Sequence, residues 1–159
     1  MRQPSEAELE GRMRPGAFSR SGFLGPDERL ADVTAADART LDALNLDDAR
    51  IAAALEGLID AAERSPQHRA SVGPLQCHIE VHQGFQICPW ADLQSGRCSA
   101  GGGARHASAD WSITNTATGD TMRGPGLIVH LIRDHHFFEG AKSPNRVDPA
   151  RLAALLGLS

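Results

Sequence analysis

The hydrophobic positions in the first half of the chain follow the helical period. A broken apolar stripe begins after Gly25-Pro26-Asp27, where a proline and an acid are typical of a helix start. A second stripe ends before Ser65-Pro66 and keeps the i, i+4, i+7, i+11 spacing of one helix face. Its members are Ile51, Leu55, Leu58 and Ala62. We therefore predict a helical hairpin over 27–64.

The residues before this hairpin have no such period. Residues 1–22 are polar and rich in Gly, Pro, Ser and Arg, a composition that supports little burial. We therefore expect 1–24 to be a mobile N-terminal tail, in which Phe18 and Phe23-Leu24 are the residues able to dock on the body. Residues 25–159 are expected to form a single α+β domain.

From Leu75 onward the hydrophobic period changes to two. Polar residues alternate with four inward positions, which are Leu75, Cys77, Ile79 and Val81. Gln83-Gly84 predicts a hairpin turn followed by a return strand through Phe85 and Ile87. Another strand pair is predicted at 111–115 and 121–123. These strands form a small antiparallel sheet in a β-rich half that covers 75–159.

The last third of the chain returns to helical signals. A helix is predicted from Leu127 to about His135, and Asp148 with Pro149 marks the N-cap and first residue of a short final helix. Phe137 and Phe138 are adjacent, so their rings cannot point in the same direction. We expect them to anchor the core, one ring near the preceding helix and the other near the segment 143–156. The alternative is an exposed aromatic surface for a partner.

Thiols and imidazoles are concentrated in the second half, where they indicate a metal site. Cys88 and Cys98 precede a helical segment in which His130 and His135 have the H-x4-H spacing of zinc fingers. An ideal helix separates these two histidines by about 140°, so a final 3₁₀ turn or a widened turn is needed to bring them together. His136 is the substitute ligand if the helix ends differently.

The spacing of these four residues departs from that of a compact zinc finger. Nine residues lie between Cys88 and Cys98, and 31 more lie between Cys98 and His130. A long loop and an intervening hairpin would account for both intervals. The alternative is a buried Cys88, a loop Cys98 and surface histidines without a metal. If the metal site is present, the predicted fold is α+β. An N-terminal helical hairpin is followed by a small antiparallel sheet and by C-terminal helices around a zinc site.

Other chemistry-bearing residues have simpler interpretations. Cys77 alternates inward and is expected in the core. His78, Glu80 and His82 share the opposite strand face, where they could hold a catalytic metal or only face solvent. Asp134 could orient an imidazole from outside the ligand set or cap the helix. His106 lies in a polar loop, where we expect no role.

Charge and hydropathy exclude several classes of partner. The net charge is −4, its acidic excess lies in 27–64, and there is no basic stripe, so we expect no nucleic-acid binding. A protein partner could dock on the acidic helical hairpin.

No run approaches the roughly 18 apolar residues of a membrane span, and the N-terminus has no apolar signal segment. We therefore expect no membrane partner, and a cytoplasmic protein with reduced thiols.

Several stretches resemble a family of uncharacterised small soluble prokaryotic proteins. They are Ser21-Gly-Phe-Leu-Gly25, Cys88-Pro89, the hairpin 113–119, His130-Leu-Ile-Arg-Asp-His-His-Phe-Phe-Glu-Gly140 and Ser143-Pro-Asn-Arg-Val-Asp-Pro149. The resemblance covers most of the chain after the tail. It implies a compact domain with cysteine and histidine side chains in one place, and it implies no activity.

Two functions fit these observations. In the first, Cys88, Cys98, His130 and His135 hold a structural zinc, and the protein has an interaction or regulatory role. In the alternative, three of them hold a catalytic metal with an open position for water, and Glu139 or Glu80 acts as the base of a hydrolase-type enzyme. The sequence contains no recognisable catalytic motif, such as H-E-x-x-H or a dinucleotide fingerprint.

Overall fold

The computed structural model describes residues 3–98, 100 and 104–158, and within them it shows an α+β fold. The helices are α1 (Glu6–Met13), α2 (Leu30–Ala43), α3 (Asp48–Arg64), α4 (Leu127–His135) and α5 (Pro149–Leu155). The strands are β1 (Arg69–Val72), β2 (Leu75–Val81), β3 (Ala109–Asn115) and β4 (Thr121–Pro125). The predicted fold class is confirmed. None of the helices described is long and apolar enough to cross a membrane.

The four strands form one antiparallel sheet in the order β1-β2-β3-β4. Successive side chains of a strand point to opposite faces, so the alternation in the sequence gives the sheet one apolar and one polar face. The buried face carries Cys77, Ile79, Trp111, Ile113 and Met122. Helix α3 packs against β1 and β2, and α5 packs against β4.

The strand pairing differs from the prediction at both neighbours of β2. The return strand predicted through Phe85 and Ile87 is wrong, because β2 pairs with β1 on one side and β3 on the other. Phe85 is instead exposed, with 67% of its surface accessible. Strand β1 was not predicted. Gly73 has a φ of +56° and with Pro74 connects β1 to β2 in a two-residue turn, a position where glycine is favoured.

The helices predicted over 27–64 are both present. Helix α3 begins after Asp47, whose carboxylate accepts a hydrogen bond from the Arg50 backbone N–H at 2.8 Å. Its apolar stripe packs against α4 and the sheet, whereas α2 packs against α5. Because the principal neighbours of the two helices differ, their packing against each other as a hairpin stays a prediction.

The segment expected as a mobile tail packs on the body of the domain. Leu9, Met13, Phe23 and Leu24 are buried, and they belong to the same core as the sheet. The Arg14 guanidinium donates to the carbonyl oxygens of two body residues, at 2.7 and 2.6 Å. Polar composition therefore misled the prediction for 1–24, since these few apolar side chains suffice for burial. Residues 1 and 2 lie outside the described residues.

Candidate metal centre

Cys88, Cys98, His130 and His135 come together in the structure. One ligand atom from each lies within 4.8 Å of the others, and these four residues form the Cys2His2 cluster. His135 Nε2 is 3.4 Å from Cys88 Sγ and 3.3 Å from Cys98 Sγ. Tetrahedral zinc bonds of about 2.3 Å to sulfur and about 2.0 Å to nitrogen place such atoms about 3.5 Å apart. The two distances from His135 Nε2 are close to this value, and the cluster could hold a metal ion.

His130 provides a test of whether the residues fit a metal. Its side chain is buried in α4, and its Nδ1 lies 2.7 Å from the Asp134 carboxylate. Its Nε2 is buried without a hydrogen-bond partner among the described residues. A buried polar atom without a partner is costly, whereas a metal ion would satisfy it. An imidazole that donates from Nδ1 to a carboxylate presents its Nε2 lone pair to a metal.

The end of α4 determines which second histidine joins the cluster. His136 has a φ of +55° and ends the helix, and its backbone N–H donates to the carbonyls of Ile132 and Leu131. The backbone N–H of Phe137 also donates to the Leu131 carbonyl, at 3.1 Å, a pattern that closes a helix at a left-handed residue. The rings of His130 and His135 meet edge to face, with centroids 4.9 Å apart. His136 leaves the cluster, and its Nδ1 contacts the Asp48 carboxylate at 2.6 Å.

The loop between the cysteines folds back on itself, and this explains their wide spacing. The backbone N–H of Asp92 donates to the Arg97 carbonyl at 2.9 Å, and the N–H of Gly96 donates to the Asp92 carbonyl at 2.8 Å. The Arg12 guanidinium of α1 donates to the carbonyl oxygens of Pro89 and Ala91. The folded loop and the contact from α1 hold both thiols at the end of α4.

Aromatic side chains pack next to His135 at the edge of the cluster. The Trp90 ring stacks on the His135 ring with a centroid distance of 4.0 Å and an interplanar angle of 5°. Phe137 meets Trp90 edge-on at 5.8 Å. Burial, together with the nearby His130, lowers the pKa of His135 to about 4. His135 is therefore neutral at physiological pH, the form that binds metals.

Burial also controls the state of the cysteines in the absence of metal. It raises the pKa of the Cys88 thiol far above its usual value, and the nearby Cys98 thiol acts in the same direction. Cys88 therefore stays protonated until a cation compensates for the thiolate charge. Because metals bind the thiolate, binding at Cys88 is coupled to release of a proton.

A polar chain extends from the cluster to α3. The Asp134 carboxylate accepts hydrogen bonds from His130 and from the Arg133 guanidinium, which also reaches Glu56 at 3.4 Å. Burial opposes ionisation of Asp134, but the bonds from Arg133 and His130 outweigh it and lower its pKa. Asp134 therefore orients His130 as an ionised carboxylate, the first of the two roles considered from the sequence.

His106 has a structural role that the sequence analysis missed. The residue is 4% exposed, and its ring nitrogens lie 2.8 Å from Glu63 and 3.1 Å from Glu56. Asp60 lies between these acids on the same face of α3 and pairs with Arg105 at 3.0 Å. The i, i+4, i+7 spacing of the three carboxylates was the available signal. Asp60, Glu63 and His106 are close enough to share a metal ion, but Arg105 already neutralises part of this charge.

The remaining candidates do not join the Cys2His2 cluster. Cys77 is buried in the sheet as predicted, and burial raises the pKa of its thiol to about 11. His82 contacts Asp110 on the exposed sheet face at 2.8 Å, and Glu80 is exposed on that face. Glu139 is fully buried, with one oxygen accepting a hydrogen bond from Ser143 at 2.8 Å. These positions do not support the catalytic base that the enzyme alternative requires.

The comparisons with known proteins provide no functional assignment. No protein-family model matches the sequence, and no curated protein or solved structure matches it. The functional argument therefore rests on the geometry of the Cys2His2 cluster.

Proposed function

We propose that the protein binds one zinc ion through Cys88, Cys98, His130 and His135, and that this ion is structural. The observation that carries the proposal concerns His130, which has a ligand atom within 4.8 Å of the other three and whose Nε2 is buried without a partner among the described residues. Two thiolates and two imidazoles in a tetrahedral arrangement are the donor set of structural zinc sites. Four protein ligands leave no position for a water molecule, which favours a structural role over catalysis.

The proposed ion would add a bond between the loop and α4 to the contacts already described, such as the stacking of Trp90 on His135. The connection from β2 to β3 supplies Cys88 and Cys98, and its described residues contain no helix or strand. The two histidines lie on α4, which packs against α3. A metal bridging the loop and α4 contributes its binding free energy to folding, because the unfolded chain has no preformed site. Its role is to hold this loop in one conformation.

The biological role that we propose is interaction or regulation in a reducing compartment. The thiolates have to stay reduced to bind the metal, so the cytoplasm is the location that suits the site. The exposed acids of α2, such as Asp32 and Asp42, would provide a surface for a basic protein partner.

The metal proposal is tested by elemental analysis and by replacement of zinc with cobalt in the 159-residue chain. We expect one zinc per chain. The cobalt form should show the absorption of a four-coordinate ion with two thiolate and two imidazole ligands. Cys98→Ser should lose the thiolate-to-cobalt band or much of its intensity, whereas Cys77→Ser, a matched variant in the sheet, should retain it. Substoichiometric metal, or an unchanged cobalt spectrum in Cys98→Ser, would contradict the proposal.

A further inference from the structure

The exposed face of the sheet carries one row of residues suited to an anion. The strand register places four residues side by side, one from each strand, and they form the basic row: Arg69, His78, Ser112 and Arg123. Directly opposed residues of antiparallel strands point to the same face. Strands lie about 4.8 Å apart, so the two arginine Cα atoms are roughly 14 Å apart, with His78 and Ser112 between them.

This row lies between two others of different chemistry. On one side is the hydroxyl row, which consists of Ser71, Gln76, Thr114 and Thr121. On the other side is the acidic row, formed by the opposed Glu80 and Asp110. The acidic row is partly neutralised, since His82 contacts the Asp110 carboxylate at 2.8 Å. The face therefore changes from hydroxyl to basic to acidic along the strands.

Two adjoining depressions follow this arrangement. Arg69 lines a depression of about 320 Å³, and Arg123 lines another of about 290 Å³. His78 and Ser112 line both depressions, so the two arginines flank the same pair of residues from opposite sides. Among the described residues, neither Arg69 nor Arg123 forms an ion pair with a carboxylate. Their guanidinium groups are available to a ligand.

We propose that this face binds the phosphate group of a small hydroxyl-bearing ester, such as a sugar phosphate. Guanidinium groups donate two parallel hydrogen bonds to phosphate oxygens. The His78 imidazole and the Ser112 hydroxyl, which lie between the two arginines, can donate further hydrogen bonds to the same group. The hydroxyl groups of the ligand would then donate to Glu80 and Asp110. A long polyanion such as RNA is disfavoured, because it would have to cross the acidic row. The proposal does not depend on the metal, since these residues are not members of the Cys2His2 cluster.

Isothermal titration calorimetry at low ionic strength tests this assignment with ribose 5-phosphate, inorganic phosphate and ribose. We expect ribose 5-phosphate to bind more tightly than inorganic phosphate, and ribose not to bind. Arg69→Ala and Arg123→Ala should each weaken binding of the ester by about tenfold or more, the usual effect of removing a charged hydrogen-bond donor. Arg39→Ala, which removes the same charge from the exposed side of α2, should have no effect. All three arginines are exposed, so melting temperatures should not change.

A further variant separates recognition of the ester from simple attraction of an anion. Glu80→Gln should weaken binding of ribose 5-phosphate while leaving inorganic phosphate unchanged or bound more tightly. Equal binding of the ester and inorganic phosphate would overturn the role of the acidic row. Absence of binding, an equal loss in Arg39→Ala, or tighter binding of a single-stranded oligonucleotide than of the ester would overturn the proposed site.

Discussion

Asp134 and His130 lie one helical turn apart on α4, and their side chains are joined by a 2.7 Å contact between the carboxylate and Nδ1. This contact fixes the imidazole so that Nε2 is left for the cysteine thiols and His135. The Arg133 guanidinium holds the same carboxylate at 2.9 Å and links it to Glu56 on α3. The orientation of the His130 ring in the Cys2His2 cluster therefore depends on a residue that is not itself in the cluster.

Asp134→Ala should weaken zinc binding without removing a ligand. Loss of a carboxylate that orients a metal-binding histidine typically costs about 10- to 100-fold in metal affinity. Asp134→Asn should have a smaller effect, because its amide oxygen can still accept from Nδ1. Competition with a chromophoric chelator measures the affinity, and Asp32→Asn on the exposed side of α2 is the control. An unchanged affinity in Asp134→Ala would show that packing alone orients His130.

Removal of the metal should destabilise the wild-type protein but not variants that lack a ligand. A chelator should therefore lower the melting temperature of the wild type and of Cys77→Ser, whose side chain is outside the cluster. His130→Ala and Cys98→Ser should already melt at a lower temperature and respond little to the chelator. The physical reason is that metal binding contributes directly to folding free energy. Equal chelator responses in all four proteins would count against the site.

Features that depend on the local spacing of residues could be predicted from the sequence. The i, i+4, i+7 stripe of α3 and the Asp148-Pro149 start of α5 both appear in the structure. In β2 the predicted inward positions Cys77 and Ile79 are buried, whereas Val81, also predicted to point inward, is exposed at the end of the strand. The Cys2His2 cluster was predicted because thiols and imidazoles are rare and chemically specific. Phe137 and Phe138 are both buried, as the anchor prediction required.

The features that could not be predicted depend on tertiary contacts or on one backbone conformation. The choice of His135 over His136 follows from the positive φ at His136, which the spacing does not determine. The burial of His106 requires the acidic face of α3 to pack against a distant loop. Strand β1 has only four residues, and its short sequence, Arg69–Val72, shows no clear alternation of apolar and polar positions. Met13 and Phe23 become buried only because the body offers them an apolar surface.

His106→Asn should destabilise the fold although His106 is outside the Cys2His2 cluster. The substitution removes at least one of the contacts to Glu56 and Glu63. The three carboxylates on this face of α3 then have fewer hydrogen-bond partners. We expect a loss of about 1–3 kcal/mol, the usual cost of an unsatisfied buried polar group. Urea unfolding measures it, and His68→Asn, at an exposed position, should cost much less. Equal losses would mean that the contacts of His106 contribute nothing to stability.

Glu139 should make the stability of the domain depend on pH in the neutral range. Its carboxyl group is fully buried, one oxygen accepts from Ser143, and the other has no partner among the described residues. The charged groups around it are engaged elsewhere. Glu28 accepts from the backbone N–H groups of Gly25 and Lys142, and Arg146 pairs with Asp37 while donating to the Glu139 backbone carbonyl.

Burial raises the pKa of Glu139 from 4.5 to about 7, although the hydrogen bond from Ser143 opposes this shift. In the unfolded chain the carboxyl group ionises near the ordinary value, so the folded state binds more protons between about pH 4.5 and 7. The stability that this group contributes is therefore complete below about pH 4.5 and is lost as the pH rises through about 7. The shift corresponds to about 3 kcal/mol at most.

Glu139→Gln should remove this dependence, because the amide cannot ionise. The difference in unfolding free energy between Glu139→Gln and the wild type should therefore shift in favour of the variant from pH 5 to pH 8. Urea unfolding at each pH measures it, and any pH dependence that comes from the Cys2His2 cluster cancels because both proteins contain that cluster. Glu80→Gln, at an exposed position, should show a nearly constant difference from the wild type. A constant difference for Glu139→Gln as well would mean that the buried carboxyl group does not titrate in this range.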